Sequence, residues 1–194
     1  MTNSRDQKRI QLISLANEVM NAYGVKKTTL DDIAFAAGMA TPSLYYYFKN
    51  KNEVVREVLS VTLNSTRKII NTVIHAGAPP EAQLKLLAQA FYASIKHAPF
   101  VMNIDNQTKS EVVIVARDLI DIFNRDLAGM IEAILKAGNK TGVFVVEDYE
   151  LAAETITNCL WGLLEKVAGT PEIEFLEQKI DSLLAMFVYG LKKR

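Results

Sequence analysis

Lys27-Thr-Thr-Leu-Asp-Asp-Ile-Ala-Phe-Ala-Ala-Gly-Met-Ala-Thr-Pro-Ser-Leu-Tyr-Tyr-Tyr-Phe-Lys-Asn-Lys51 decides how the whole chain is read. Thr29 is a favourable helix N-cap, and Asp32, three residues on, closes a capping box with it. Ile33, Ala34 and Ala37 supply a small apolar face at helical spacing. Gly38 stops that helix, because glycine enters the left-handed region without a Cβ penalty. A second helix is expected to start with Thr41 as cap and Pro42 in its first turn, where a missing N–H costs nothing. Leu44 and Phe48, four apart, point inward, while Ser43, Tyr46 and Tyr47 stay largely outside. Two short helices about a glycine-containing turn make a helix-turn-helix.

Working outward, Arg9 to Tyr23 reads as an amphipathic helix, with Ile10, Ile13, Ala16, Val19, Met20 and Tyr23 at three- and four-residue steps and Gly24 ending it. It completes a three-helix head, and its basic start can touch a flanking phosphate. A long helix follows from Asn50 to about His75, with Val54, Val58, Ile69 and Val73 in period. Gly77-Ala-Pro-Pro80 is the clearest break in the chain. Helices are then expected over residues 81–96, 108–137, 148–168 and 171–191, with residues 100–106 irregular. Val143-Phe-Val-Val146 has strand propensity, but a lone strand has no partner, so it reads as a loop. The expectation is an all-α protein: a head over residues 1–49, then a helical body over 50–194 that begins with the linking helix 50–75.

A chain of 194 residues has ample length to bury a core, and 49% hydrophobic with 23% charged residues is ordinary for a globular protein. No apolar run approaches the ~18 residues of a membrane span. The first nine residues lack the apolar core of a secretion signal. Cys159 is the single cysteine, which excludes an internal disulfide and fits a cytoplasmic location. Net charge is zero, yet it is unevenly spread: residues 1–52 hold seven Lys/Arg against four acids, and the remainder fifteen against eighteen. A basic head on an acidic body suits a protein that meets phosphates with one end.

The run Thr28-Thr29, Asp32-Ile33-Ala34, Ala37-Gly38, Leu44-Tyr45, Tyr47-Phe48, Lys51, Glu53 resembles the DNA-binding region of TetR-type transcriptional regulators. The resemblance covers roughly residues 9–58; beyond it, the chain is similar to that family only in length and helical character. Ala40 stands where the family usually has a polar residue, and Pro42 where many members have Gly. The resemblance implies a homodimer that binds double-stranded DNA and answers to a small-molecule effector held in the body. Thr41, Pro42 and Ser43 are expected at base edges with Tyr46 close by. Tyr47, Lys51 and the helix start at Thr29 are expected on phosphates, and Tyr45 either joins them or packs inward.

Phe91, Tyr92, Ile95, Phe100, Met102, Phe123, Met130, Asn158 and Trp161 mix aromatic, thioether and amide side chains suited to a largely apolar effector. Plain core packing explains each of them singly just as well. In the last two helices Leu160, Leu164, Ile180, Leu184, Phe187 and Leu191 recur at helical spacing; ordinary core helices fit this, and the resemblance implies a four-helix dimer interface. Catalysis is not expected. His75 and His97 lack metal-ligand spacing, Arg117, Asp121 and Arg125 read as a solvated face, and there is no phosphate-cradling glycine loop or nucleophile elbow. No cofactor or metal is anticipated. The function read from the sequence is a ligand-responsive repressor; its rivals are a helical carrier or sensor without specific DNA binding, and an all-helical enzyme.

Overall fold

The computed structural model describes residues 4–74, 77–96, 106–167 and 176–191. Among these residues there are eight helices and no strand: α1 (Ser4–Tyr23), α2 (Leu30–Ala36), α3 (Thr41–Tyr45), α4 (Lys51–Ile74), α5 (Pro80–Lys96), α6 (Asn106–Lys140), α7 (Tyr149–Val167) and α8 (Leu176–Leu191). The anticipated all-α architecture is the one observed. The chain packs as two compact units, one built from the described parts of Met1–Leu63 and Ala98–Leu119, the other from the rest. Helices α4 and α6 each contribute residues to both units. The break at Ala98-Pro99, the irregular stretch beginning at Phe100, and both histidines lie outside the described residues.

In the first unit the helix ends follow from local chemistry. Gly24 takes φ +85° and ends α1. The Thr29–Asp32 capping box that opens α2 is present in both directions: the Asp32 amide donates to the Thr29 hydroxyl, and the Thr29 amide donates to the Asp32 carboxylate at 2.8 Å. At the other end Gly38 takes φ +63°, its N–H donates to the Phe35 carbonyl, and the Met39 N–H reaches back to the Ala34 carbonyl. That pair of bonds is a Schellman motif, which satisfies carbonyls a helix end would otherwise leave open. Asn50 caps α4 by accepting from the Glu53 amide at 2.9 Å, while the Glu53 carboxylate accepts from the Lys49 amide at 2.7 Å.

The second helix of the motif departs from expectation. Ala40, not Thr41, is the N-cap of α3, and it makes no side-chain capping bond. Thr41 is instead the first helical residue, and its hydroxyl donates to Asp31. Helix α3 also stops at Tyr45, with Tyr46 as C-cap. Inside, α1 packs on α2 and α2 on α3, with Leu12, Met20, Ile33, Leu44 and Phe48 almost wholly buried. Two residues of the expected α1 stripe are instead exposed: Ile10 lies off the face that buries Leu12, Ala16, Val19 and Met20, and Tyr23 is the last residue of the helix. The start of α6 belongs to this unit too. Arg56 of α4 forms a forked ion pair with Asp118 and donates to the Val115 carbonyl at 3.2 Å. Beside them Ala116, fully buried, leaves helical geometry at φ −126°, ψ 21°.

In the second unit α5 packs against α8 and α8 against α7. Leu84, Leu87, Phe91, Ile131 and Leu160 are buried, and Lys85 pairs with Asp181 at 3.0 Å. Residues 143–146 form no strand, as expected; Phe144 drops into the core over Gly138 while Val145 faces out. Four of the residues assigned to a dimer surface need a different role. Leu160, Leu164, Ile180 and Leu184 are at most 4% exposed within a single chain, so they have no area left to bury against a second. Periodicity located the apolar stripe, and packing inside the unit had already used it. Phe187 is half-buried, and the side chain of Leu191 lies outside the described ones.

Candidate nucleic-acid interface

The surface around α3 is built on the caps just described. Pro42 and Ser43 are exposed and Thr41 is half-buried, at the start of a five-residue helix whose other side, Leu44, is sealed in the core. After it come three tyrosines with three environments. Tyr45 and Tyr46 are 54% and 62% exposed, which settles Tyr45 as outward; Tyr47 is half-buried, edge-on to Tyr46 at 5.2 Å between ring centres.

Two of the expected polar contacts are engaged within the protein. The Thr29 hydroxyl donates to Asp32 at 2.7 Å and accepts from its amide. These bonds hold the Asp32 carboxyl below its ordinary value, the Thr29 side-chain bond contributing most and the Thr29 amide next. Lys51 is half-buried and donates from Nζ to the carbonyl of Lys26 at 3.1 Å. Burial pulls its pKa down, and Glu111 and Asp32 only partly offset that. One of its three N–H bonds is thus committed to the loop before α2, leaving two for a phosphate.

From the sequence, the basic start of α1 at Arg9 is expected only to touch a flanking phosphate, and its ion pairs are not foreseen. Arg9 pairs with Glu53 at 2.9 Å and Glu57 at 3.1 Å, donates to the Tyr47 carbonyl, and lies over the Phe48 ring at 4.6 Å. Burial alone would lower its pKa, but the bonds to Glu53 and Glu57 outweigh it and the net shift is upward. Glu53 is held low in return, chiefly by Arg9 and then by the Lys49 amide. Arg9 therefore locks α1 to the end of the motif and to the start of α4. The available signal was its position one turn beyond Arg5 on the same helix face.

The body residues assigned to an effector are packed against one another. Phe91, Tyr92, Ile95 and Phe123 are at most 4% exposed, and Phe91 meets Trp161 edge-on at 5.1 Å. Tyr92 donates to the Leu160 carbonyl at 2.6 Å, and burial, with a smaller contribution from Cys159, pushes its pKa far up. Trp161 donates to Asn124 at 2.8 Å. Asn158 faces outward, because it lies on the face of α7 opposite Leu160 and Ala153. Phe100 and Met102 lie outside the described residues. A separate open cleft of about 730 Å³ is lined by Arg67, Asn71, Ile74, Gln83, Arg125, Asp126, Gly129, Met130, Ala133 and Ile134. Of the described residues expected around an effector, only Met130 lines it. Among the described residues no cluster of His, Cys, Asp and Glu has metal-binding geometry, and no helix is long and apolar enough to cross a membrane.

A capped helix, a Schellman turn and a second short helix with an exposed polar and aromatic surface define a helix-turn-helix DNA-binding protein with a helical body. Comparison with known proteins agrees. Residues 12–58 match the model of the bacterial regulatory proteins of the tetR family. The chain is 26% identical over 162 residues to the transcriptional repressor KstR2 of Rhodococcus jostii, covering 82% of this chain and 79% of that one. It is 28% identical over 156 residues to KstR2 of Mycolicibacterium smegmatis, covering 79% and 76%. The solved structure of the ketosteroid transcriptional regulator KstR2 of Mycobacterium tuberculosis superposes with a TM-score of 0.70 at 26% identity, over 100% of this chain and 98% of that one. Over residues 12–58 the chain thus carries the DNA-binding region of the tetR family of bacterial regulatory proteins, and the relatives it is similar to are transcriptional regulators.

Proposed function

We propose that this chain is a cytoplasmic, ligand-responsive repressor that binds a palindromic operator as a homodimer and is released by a small-molecule effector. The observation that carries the reading is the α2–turn–α3 element, held rigid by its capping box and Schellman turn, with Pro42, Ser43 and Tyr45 presented outward. Base contacts from Pro42 and Ser43 set specificity, with the methyl of Thr41 beside them; Tyr45, Tyr47, Lys51 and the backbone at Thr29 meet phosphates. The repressor names of the KstR2 relatives support the sign of regulation.

A single short recognition helix binds weakly, and symmetric pairs reading two half-sites are the usual remedy. The dimer surface uses what the core of α8 leaves over: Met186 and Tyr189 are 71% and 80% exposed, with Phe187 half-buried between them. The effector occupies the cleft beside Arg67. Its lining is more polar than the aromatic cluster, so the effector carries polar groups along an apolar body. Arg67 and Ile74 at the cleft belong to the same helix, α4, that begins behind the recognition element at Lys51. An effector shifts the DNA-binding equilibrium only by its difference in affinity between the two arrangements of that helix.

The test is selection of bound sequences from random duplex DNA by the purified full chain, with its mass in solution measured alongside. One palindromic consensus and a dimeric mass support the reading. Enrichment of nothing, with and without cell extract, overturns it.

A further inference from the structure

We propose that Arg5 is a phosphate contact of this DNA-binding head, carried to the rim of the groove by the ring of Tyr46. The Arg5 guanidinium lies over the Tyr46 ring, 4.6 Å from its centre. Both residues are exposed, and among the described residues no carboxylate pairs with Arg5. A guanidinium resting over an aromatic face spends none of its five N–H donors there, so its edge remains open for a bidentate anion.

Position selects the partner. Tyr46 is the C-cap of α3, directly after the recognition helix. The first residues of such a helix face base edges, while its far end and the segments beside it lie against the sugar–phosphate backbone. The ring pre-orders a long side chain that would otherwise lose rotamer freedom on binding.

The contrast with the neighbouring cations is informative. Arg9, one turn further along α1, is consumed by Glu53, Glu57 and the Tyr47 carbonyl. Lys8 turns to a groove against Ala36 and Ala37 on the α2 side. Among the described residues Arg5 alone combines an unpaired charge with a platform on the recognition element. Tyr46 then acts as a positioning residue for Arg5, not as a reader of bases.

The experiment titrates the full chain with a mixed-sequence duplex of about three helical turns at several KCl concentrations, so that no operator is needed. Arg5→Ala lowers the slope of log affinity against log salt by about 0.9 for each bound head, and Arg5→Lys keeps the slope while losing affinity. Tyr46→Phe behaves as the parent. Tyr46→Ala weakens binding in the parent and does nothing further in the Arg5→Ala background. Thermal melting confirms that each variant folds. A slope that Arg5→Ala leaves unchanged overturns the proposal, as does a Tyr46→Phe defect equal to that of Tyr46→Ala, which would make the hydroxyl the contact. A parent chain with no salt-dependent affinity overturns the DNA-binding reading itself.

Discussion

The hydroxyl of Thr41 donates a 2.6 Å hydrogen bond to Oδ1 of Asp31, tying the first residue of α3 to the first turn of α2. It fixes the angle between the two helices of the motif from outside, where Ile33 and Leu44 fix it from within. It also removes the Thr41 proton from any bond to a base. Thr41→Val and Asp31→Ala should each lower the unfolding free energy by about 0.5–1 kcal/mol, the usual range for an exposed bond. The double variant should cost little more than either one, because both singles break the same bond. Urea denaturation of the three variants checks this; strictly additive losses would mean the two side chains do not interact.

Lys51 carries two roles that one substitution would confuse. Its bond to the Lys26 carbonyl is structural, while its remaining N–H bonds are the ones proposed to meet phosphate. Lys51→Ala should weaken binding to all sequences alike, flatten the salt slope by about one unit per head, and cost stability. Lys51→Gln keeps a donor without the charge, so it should recover much of the stability and none of the slope. A changed site preference in either variant would sink the phosphate assignment.

Acid sensitivity should report on the fork between α4 and α6. The hydrogen bond from Arg56, more than its charge, holds the Asp118 carboxyl at about 2, below the ordinary 3.8. The unfolded chain therefore binds that proton more tightly. The stabilisation is present above the unfolded value and drains away as pH falls through the folded one. Asp118→Asn should accordingly be less stable than the parent near neutrality, with the gap closing between about pH 4 and about pH 2. Because the pair is solvent-exposed, salt should narrow the gap as well. Urea midpoints of both proteins across that range test it; a constant gap would place the effect elsewhere.

Gly138 is required by its neighbour, not by its backbone angle. A Cβ there would lie 2.1 Å from Cδ2 of Phe144, which is itself fully buried. Overpacking of this kind costs about 1–3 kcal/mol, against about 1 kcal/mol gained when alanine replaces glycine within a helix. Gly138→Ala should be net destabilising, and adding Phe144→Leu should return part of the loss. Calorimetric melting of the single and double variants decides it; a stabilised single variant would show that the ring moves aside freely.

Much of the head was legible because its determinants are local. Thr29, Asp32 and Gly38 act within a few residues of themselves, so residue type and spacing suffice to place them. The boundary at α3 was misread for the opposite reason. The helix starts one residue earlier than a capping threonine suggests, and the Thr41 hydroxyl goes to Asp31, ten residues away, a partner that local spacing does not show. The body shows the same division. Helical periodicity found the stripes on α7 and α8 but not their covering, so Leu160 and Leu184 read as interface when they are core. The aromatic set around Phe91 was legible as apolar, but helical spacing did not show that the rings of Phe91, Phe123 and Trp161 pack on one another.

By itself, then, the sequence determined the all-α class, the helix-turn-helix and the loops that punctuate the chain. These follow from backbone propensity, capping and period, each acting over a turn or two of helix. Only the tertiary structure decided which charges are spent and which remain available. Arg5 and Arg9 share one helix face and differ only in what other elements bring to them: a tyrosine ring to the first, two glutamates and a carbonyl to the second. Short-range propensity is written in neighbouring residues, whereas charge pairing and burial depend on partners that the fold alone brings within reach.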